Sequence, residues 1–300
     1  MKVIRARTLG FCPGVKRAVA AAEKAAAEAR STGTQSLVLG QIVHNPRVSA
    51  RLESLGMERL DDAHIDEAGA LAPGSLAGSV VVIRSHGTTP AVYAKLAAAG
   101  AGIVDATCPR VAANQKAAAS YAARGFLVVI AGDKGHGETL GIAGHAPGAI
   151  IVSTPAEASA VPAGRPVALI AQTTISETEY DAIRTALNAR TANDPDGTPT
   201  PDCVDAGGVC GASRDRRAAV EEFAGKVDAV VVVGGKNSAN TRRLAELCTS
   251  LSLPVWHVEN ASGIPDELGT YETIGLTAGA STPDEDIDEA EARLHALAAR

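Results

Sequence analysis

The stretch VDATCPRVAANQKAAASYA, residues 104 to 122, sets a cysteine directly before a proline and a long helix-forming run. The same arrangement recurs in GFCPGVKRAVAAAEKAAAEA around Cys12, and GGVCGASRDRRAAVEEFAG places Cys210 at the head of a third run. Proline suits the first turn of a helix, because its missing N–H would have no partner there. We therefore expect Cys12, Cys108 and Cys210 each to stand at a helix N-terminus, where backbone N–H groups and the helix dipole stabilise a thiolate.

Composition excludes several classes of protein. The 300 residues are 46% hydrophobic, which is ample for a buried core, and the net charge of −6 with few aromatic side chains argues against a nucleic-acid partner. The apolar run AVVVV (229–233) is far too short to span a bilayer, and MKVIRARTLGFC lacks the apolar core of a signal peptide. Five cysteines, an odd number, do not resemble a disulfide framework. These features predict a cytoplasmic protein without a membrane partner.

Short apolar runs that end abruptly in polar residues alternate with helical segments. Runs rich in Val, Ile and Leu in this setting are typical of buried strands in parallel or mixed α/β sheets. Because ligands of open α/β sheets bind beyond the carboxyl ends of the strands, the polar ends are candidate binding residues. The six runs are LVLGQIVHN (37–45), VVVIRSHGTT (80–89), FLVVIAGDKGHGE (126–138), VALIAQTTIS (167–176), AVVVVGGKNSANT (229–241) and TIGLTAGAST (273–282).

The cysteines and the strands together form a threefold pattern. Cys12, Cys108 and Cys210 fall at nearly equal intervals, and each is followed by a helix and two strands with polar tips. The pattern predicts three similar α/β units, residues 1–107, 108–200 and 201–300, with the Pro-rich stretch 189–202 as the linker before the third. Three such units around an axis would bring the three thiolates to one point, so we expect them to hold one metal centre.

The spacing of the thiols favours an iron–sulfur cluster over zinc. Structural zinc sites take four protein ligands, often in close CxxC pairs, and the sequence contains no such pair. A [4Fe–4S] cluster held by three cysteines keeps one iron open to substrate. Cys248 lies at helical spacing from Leu244 and Leu247 and is interpreted as a core residue, whereas Cys203 competes with Cys210 as the third ligand.

Eight motifs in order resemble one known family. They are GFCPGVKRAV, IVHN, SHG, DATCP, GHGE, QTTIS, GGKNSANTRRL and TAGAST, spread across nearly the whole chain. On these residues the sequence is similar to the IspH (LytB) family, the 4-hydroxy-3-methylbut-2-enyl diphosphate reductases. The resemblance implies a trefoil of three α/β domains around a central [4Fe–4S] cluster. It also implies an enzyme that removes the allylic hydroxyl of its diphosphate substrate and releases isopentenyl and dimethylallyl diphosphate, the last step of the methylerythritol phosphate isoprenoid pathway.

The resemblance also implies the site residues. It assigns the cluster to Cys12, Cys108 and Cys210, and the substrate's diphosphate to His44, His86, His136, Ser238, Asn240 and Ser281. Imidazole, hydroxyl and amide donors at strand ends can bind such an anion without a P-loop lysine. Glu138 and Thr173 are implied as the general-acid pair, with Thr173 also near the substrate, since the departing oxygen needs a proton. The resemblance further implies an external electron donor such as ferredoxin or flavodoxin.

The match departs from the family around Cys210. The family segment resembles ICYATTNRQEAV, whereas this chain has VCGASRDRRAAV, with Gly211 after the cysteine and Arg217 in place of the family glutamine. A family serine beside the diphosphate is Ala239 here. Two further hypotheses therefore stand beside the reductase: a divergent paralogue with altered substrate or inhibitor tolerance, and a non-catalytic cluster-binding sensor. A zinc or mononuclear-iron hydrolase is a third, which the metal content and colour of the protein would test.

Overall fold

The computed structural model describes residues 1–61, 65, 71–189 and 203–298. Most of the predicted linker, residues 190–202, lies outside this range. The helices are α1 (Pro13–Thr32), α2 (Pro46–Ser54), α3 (Pro90–Ala98), α4 (Pro109–Ala123), α5 (Gly137–Ala143), α6 (Pro155–Ser159), α7 (Glu177–Ala189), α8 (Gly211–Glu221), α9 (Ala239–Ser250) and α10 (Asp284–Ala298). The strands are β1 (Lys2–Arg5), β2 (Ser36–Leu39), β3 (Met57–Leu60), β4 (Val80–Ile83), β5 (Gly102–Asp105), β6 (Leu127–Ala131), β7 (Ile150–Val152), β8 (Val167–Ala171), β9 (Val204–Gly207), β10 (Ala229–Val233), β11 (Val255–Val258) and β12 (Thr273–Ala278).

The strands form three parallel four-stranded sheets, so the predicted α/β fold class is confirmed. The strand orders are β3-β2-β4-β5, β7-β6-β8-β9 and β1-β12-β10-β11. In each sheet the two interior strands are two of the six predicted apolar runs, and the outer strands are the ones that the sequence analysis did not assign. Parallel sheets need helices on both faces, which explains why their interior strands are apolar throughout.

The alternation of side chains along the interior strands divides the core into two layers. In β10, Ala229, Val231 and Val233 belong to one apolar cluster, while Val230 and Val232 belong to another. β6 divides in the same way, with Leu127, Val129 and Ala131 on one face and Val128 and Ile130 on the other. Successive side chains of a strand point to opposite faces, so the sheets of β6 and β10 each have apolar side chains on both faces.

The chain divides into two compact units. The first unit comprises Met1–Val19, Val43–Ser54 and Gly211–Arg300, and it contains the sheet β1-β12-β10-β11. The second comprises Ala20–Ile42 and Leu55–Cys210, and it contains the other two sheets. Strand pairing crosses the predicted ranges, since β1 of residues 1–107 pairs with β12, and β9 of residues 201–300 pairs with β8. The domain boundaries at 107 and 200 stay a prediction.

The helices of the described ranges include none that could traverse a bilayer, because none combines sufficient length with sufficient apolarity.

Candidate active site

Three cysteines share one backbone arrangement, Cys12 in the first unit and the other two in the second. Each follows an outer strand, each is followed at once by a helix, and each backbone N–H donates to a carbonyl two residues beyond the end of the neighbouring interior strand. The bonds are Cys12 N to Ala280 O (3.1 Å, beyond β12), Cys108 N to Ser85 O (2.9 Å, beyond β4) and Cys210 N to Thr173 O (3.1 Å, beyond β8). The sequence pattern around Cys12, Cys108 and Cys210 therefore corresponds to the same local structure at each cysteine: a backbone hydrogen bond to a strand end and a helix that follows directly.

The helix starts give these thiols a favourable electrostatic setting. Helices α1, α4 and α8 begin at Pro13, Pro109 and Gly211, directly after the three cysteines. The backbone N–H of Val15 points at the sulfur of Cys12, at 3.4 Å. The unpaired N–H groups of a first helical turn and the helix dipole favour negative charge at that point. All three cysteines are half-buried thiols, so their sulfurs can reach a ligand.

Cys203 and Cys248 lie in different surroundings. Cys248 is completely buried in the apolar cluster beneath α9, and burial raises the pKa of its thiol to about 12, so the predicted core role agrees with its position. Cys203 stands before β9 rather than after it, its N–H donates to the side chain of Asn188 at 3.2 Å, and it packs against an apolar cluster. It therefore has neither the strand-end anchor nor the following helix that Cys210 has.

In the first unit, the predicted substrate residues meet on the segment after β12. Ala280 donates its N–H to Oδ1 of Asn240 at 2.9 Å, while its carbonyl holds Cys12. The hydroxyl of the next residue, Ser281, donates to the carbonyl of His44 at 3.2 Å. Ala280 and Ser281 thus hold Cys12, Asn240 and the loop that contains His44 close together. Because Oδ1 of Asn240 accepts the hydrogen bond from Ala280, the donors that Asn240 can offer to a ligand are its Nδ2 hydrogens.

Close packing of the His44 loop explains a glycine in the GGK motif. A Cβ on Gly235 would lie 2.4 Å from the carbonyl oxygen of His44, which no side chain tolerates. Ser238, three residues later, accepts the N–H of Thr241 at 3.3 Å and so caps α9. The residue is 5% exposed and lies beyond the end of β10, where the sequence predicted a donor.

In the second unit, two histidines lie side by side. The rings of His86 and His136 are 5.1 Å apart in an edge-to-face arrangement. His136 caps α5, because its Nδ1 accepts the N–H of Glu138 at 3.2 Å. Since Nδ1 serves as an acceptor, the ring proton of neutral His136 is on Nε2, which makes that atom a donor.

Glu138 and Thr173 form a bidentate pair in the same unit. The carboxyl group is buried, with Glu138 only 1% exposed. Its Oε1 accepts the backbone N–H of Thr173 at 2.7 Å, and its Oε2 accepts the hydroxyl of Thr173 at 2.9 Å. A threonine hydroxyl carries one donor and two acceptor lone pairs, so it can also accept from a protonated Glu138. This pair can therefore hold a proton and pass it on, and the carbonyl of the same Thr173 anchors Cys210.

Two buried amides on α4 support these loops and were missed by the sequence analysis. Asn114 donates to the carbonyl of Ala171 at 2.8 Å, at the start of the Thr173 segment, and Gln115 donates to the carbonyl of Thr88 in the His86 loop at 3.4 Å. Both are 6% exposed. The signal was available, because they stand three and four residues after buried Val111 on a helix whose neighbouring positions are apolar.

The divergent segment after Cys210 contains both buried and exposed polar side chains. Ser213 is buried on α8, so its hydroxyl lies inside the unit, whereas Arg214 is exposed and its guanidinium approaches Gly211. Ala239 is buried in the first turn of α9. The segment still begins a helix directly after Cys210, despite its unusual sequence.

Comparison with known proteins places the chain in a family. The sequence model of the LytB protein family matches residues 3–295. A 4-hydroxy-3-methylbut-2-enyl diphosphate reductase of Treponema denticola is 41% identical, covering 98% of this chain and 99% of the relative. One of Geobacter sp. (strain M21) is 36% identical, covering 99% and 98%.

Solved structures give the same answer. The E-1-hydroxy-2-methyl-but-2-enyl-4-diphosphate reductase of Plasmodium falciparum has a TM-score of 0.83 at 23% identity, covering 96% of this chain and 86% of that one, and so shows the fold. An (E)-4-hydroxy-3-methyl-but-2-enyl diphosphate reductase, described as the terminal enzyme of the non-mevalonate pathway, has a TM-score of 0.67 at 31% identity, covering 99% and 100%. The chain, which carries the predicted motifs from Cys12 to Ser281, belongs to the LytB protein family.

Proposed function

We propose that the chain is an oxidoreductase, a 4-hydroxy-3-methylbut-2-enyl diphosphate reductase that performs the last step of the methylerythritol phosphate isoprenoid pathway. The relatives that match it over nearly their whole length carry this name. The single structural observation that supports the proposal best is the repeated anchoring of Cys12, Cys108 and Cys210 at helix N-termini. Three cysteine thiols in equivalent positions are suitable ligands for an iron–sulfur cluster.

The three cysteines would hold a [4Fe–4S] cluster with one iron open to substrate. The donor set fits, since three thiols have the same anchor and the remaining two cysteines do not share it. When bound, the cluster supplies the two electrons of the reaction, one at a time. The external electron donor is a small redox protein such as ferredoxin or flavodoxin. Thiolate ligands require a reducing compartment, which supports a cytoplasmic location.

The substrate's diphosphate would be bound by the residues that the family resemblance implies: His44, His86, His136, Ser238, Asn240 and Ser281. The first unit contributes mainly neutral donors whose orientation is fixed by hydrogen bonds to backbone groups, as in Asn240 and Ser238. Fixed donors bind an anion with little reorganisation. The Nε2–H of His136 offers a further donor, oriented by the bond at Nδ1.

Glu138 would supply the proton that lets the allylic hydroxyl leave. The overall reaction takes up two electrons and two protons: the carbon–oxygen bond breaks, one proton goes to the departing oxygen to form water, and the other goes to the allylic carbon. The hydrogen bond between Oε2 of Glu138 and Oγ1 of Thr173 gives the acid a relay toward the oxygen. Burial of Glu138, which is 1% exposed, shields its carboxyl group from competing water.

Anaerobic turnover tests this proposal. The purified protein, assayed with 4-hydroxy-3-methylbut-2-enyl diphosphate and a strong chemical reductant, should release isopentenyl and dimethylallyl diphosphate and should contain iron and sulfide. A brown protein that binds the substrate without turnover would favour the sensor hypothesis. A colourless, zinc-loaded protein would favour the hydrolase. Turnover of a different allylic diphosphate only would identify a divergent paralogue.

A further inference from the structure

A buried carboxylate of the first unit has no part in the proposed chemistry. Asp286 lies in the first turn of α10, and the residue is only 1% exposed. An acidic residue at this point of a helix usually faces solvent, where it interacts favourably with the helix dipole and stays hydrated. Asp286 is instead buried beside a cavity of about 590 Å³ whose lining includes Asn45, Arg47 and Glu289. A buried charge needs a physical reason, because desolvation disfavours it.

The partner of this carboxylate is the residue next to His44. Asn45 is also 1% exposed, and its Nδ2 donates to Oδ2 of Asp286 at 3.3 Å. The Oδ1 of Asn45 accepts the N–H of Val48 at 3.1 Å and thereby caps α2. Both polar atoms of the Asn45 amide are therefore hydrogen-bonded: Oδ1 caps α2, and Nδ2 connects the residue after His44 to Asp286 on α10.

Arg47 completes the arrangement. Its Nε lies 2.5 Å from Oδ1 of Asp286, and another guanidinium nitrogen lies 2.5 Å from Glu289. Asp286 is thus held between an amide on one oxygen and a cation on the other. Burial raises the pKa of Asp286, while Asn45 and Arg47 act in the opposite direction. Oδ1 makes the ion pair with Arg47 without completing a hydrogen bond, so the directional contact of the carboxylate is the hydrogen bond that Nδ2 of Asn45 donates to Oδ2.

The His44 loop is held from three sides by elements of the same unit. The hydroxyl of Ser281 binds the carbonyl of His44, and the backbone of Gly235 lies against that carbonyl. Asp286 holds the following residue. An apolar contact could fix the position of α2 equally well, but it would not orient the backbone at His44, because apolar contacts are not directional.

We propose that Asp286 is a positioning residue that acts through Asn45 to orient His44 toward the anionic substrate, an inference that rests on the proposed function of the same site. His44 itself touches the substrate, and Asp286 does not. Replacement of the carboxylate should therefore weaken anion binding without changing cluster content. Its effect should disappear when the His44 imidazole is absent.

The experiment measures the affinity of the anaerobic, cluster-loaded protein for inorganic diphosphate by calorimetry. Asp286→Asn keeps the side-chain volume but removes the charge, and its single amide oxygen cannot serve both Asn45 and Arg47. We expect the dissociation constant to rise about tenfold, the scale of one lost charge-assisted hydrogen bond, with iron content and absorption unchanged. Glu289→Gln, which removes only the other partner of Arg47, is the matched control and should leave the affinity unchanged.

A double-mutant cycle separates positioning from general support. In a His44→Ala background, Asp286→Asn should have no further effect on diphosphate affinity. An equal loss in both backgrounds would overturn the proposal, because Asp286 would then act independently of His44. If Asp286→Asn does not fold, Asn45→Ala tests the same link without an altered charge, and unchanged affinity in that variant would also overturn it.

The two proposals fail in different ways. If the unmodified protein binds diphosphate and Asp286→Asn binds it equally well, only the role of Asp286 is refuted. If the unmodified, cluster-loaded protein turns over the substrate but does not bind diphosphate, the role assigned to His44, and that of Asp286 with it, is refuted. If it neither turns over the substrate nor binds diphosphate, the proposed function is refuted as well.

Discussion

The strand ends of the two units differ in what their side chains can do. In the first unit, Ser238, Asn240 and Ser281 are neutral donors fixed by backbone hydrogen bonds. In the second unit, the corresponding ends carry the carboxyl group of Glu138 and the imidazoles of His86 and His136, which are side-chain types that can gain or lose a proton. Apart from His44, the predicted substrate residues of the first unit are thus hydroxyl and amide groups, whereas those of the second unit include a carboxyl group and two imidazoles.

One helix start in each unit shows how this division is possible. Ser238 caps α9 with its hydroxyl, and His136 caps α5 with its Nδ1. A cap needs only an acceptor for a free N–H of the first turn, so both side chains meet the structural requirement. Capping alone therefore does not explain why one position is serine and the other is histidine. The comparison predicts that loss of the Glu138 carboxyl group mainly lowers the rate, whereas a negative charge at Ser238 mainly lowers the affinity for diphosphate.

The largest effects should come from the cysteines, which the two units have in common. Cys12→Ser, Cys108→Ser and Cys210→Ser should each lower iron content and abolish turnover, because a cluster with three thiolates has no ligand to spare. Iron and sulfide analysis with visible absorption measures the loss. Cys203→Ser should retain the cluster. Loss of the cluster in Cys203→Ser but not in Cys210→Ser would show that the wrong cysteine of the pair was assigned.

Among substitutions that keep the cluster, Glu138→Gln in the second unit should have the largest effect on the rate. Glu138→Gln preserves the size of the side chain but cannot deliver a proton, and general acid catalysis typically contributes on the order of 10² to 10⁴ in rate. We expect turnover at least about a hundredfold slower with diphosphate affinity nearly unchanged. The assay uses excess chemical reductant so that electron delivery does not limit it. Near-normal turnover would exclude Glu138 as the acid.

The first unit should show an effect on affinity. Ser238→Asp keeps an acceptor for the N–H of Thr241, so α9 stays capped, but it places a negative charge beside the proposed diphosphate site. We expect a dissociation constant for diphosphate at least about tenfold higher, since the charge repels the anion. Ser238→Ala, which loses the cap, is the matched control and should lower the free energy of unfolding by about 1 kcal/mol. Unchanged affinity in Ser238→Asp would place the anion elsewhere.

The smallest effect should come from the buried thiol. Burial raises the pKa of Cys248 to about 12, so the thiol stays protonated and shielded in the folded protein at pH 8. Iodoacetamide at pH 8 should modify it only after denaturation, as mass spectrometry of the cluster-free protein would show. A raised folded-state pKa means that this thiol favours the folded state below its ordinary pKa, and that the contribution is lost as the pH rises toward 12. Rapid labelling of the folded protein would contradict the core position.

The interior and outer strands show how far the sequence alone could be read. Interior strands such as β6, β8 and β10 are buried at every residue, so their sequences are continuous apolar runs. Outer strands such as β1, β5 and β9 are partly exposed, and their short mixed sequences resemble loops. An outer strand pairs with only one other strand of its sheet. It can be recognised in the structure by its backbone hydrogen bonds to that strand, whereas its own side chains give no clear pattern.

By itself, the sequence determined the interior strands, the helix starts behind the cysteines and the family. These depend on local properties: hydrophobic runs, a proline in the first turn, and motifs in order. Only the tertiary structure decided which strands flank them, as in the pairing of β1 with β12. It also decided which carbonyl holds each cysteine, and that Asp286 meets Asn45 across most of the length of the chain. The physical reason is that hydrogen bonds between distant residues depend on backbone geometry, which folding creates and no local pattern encodes.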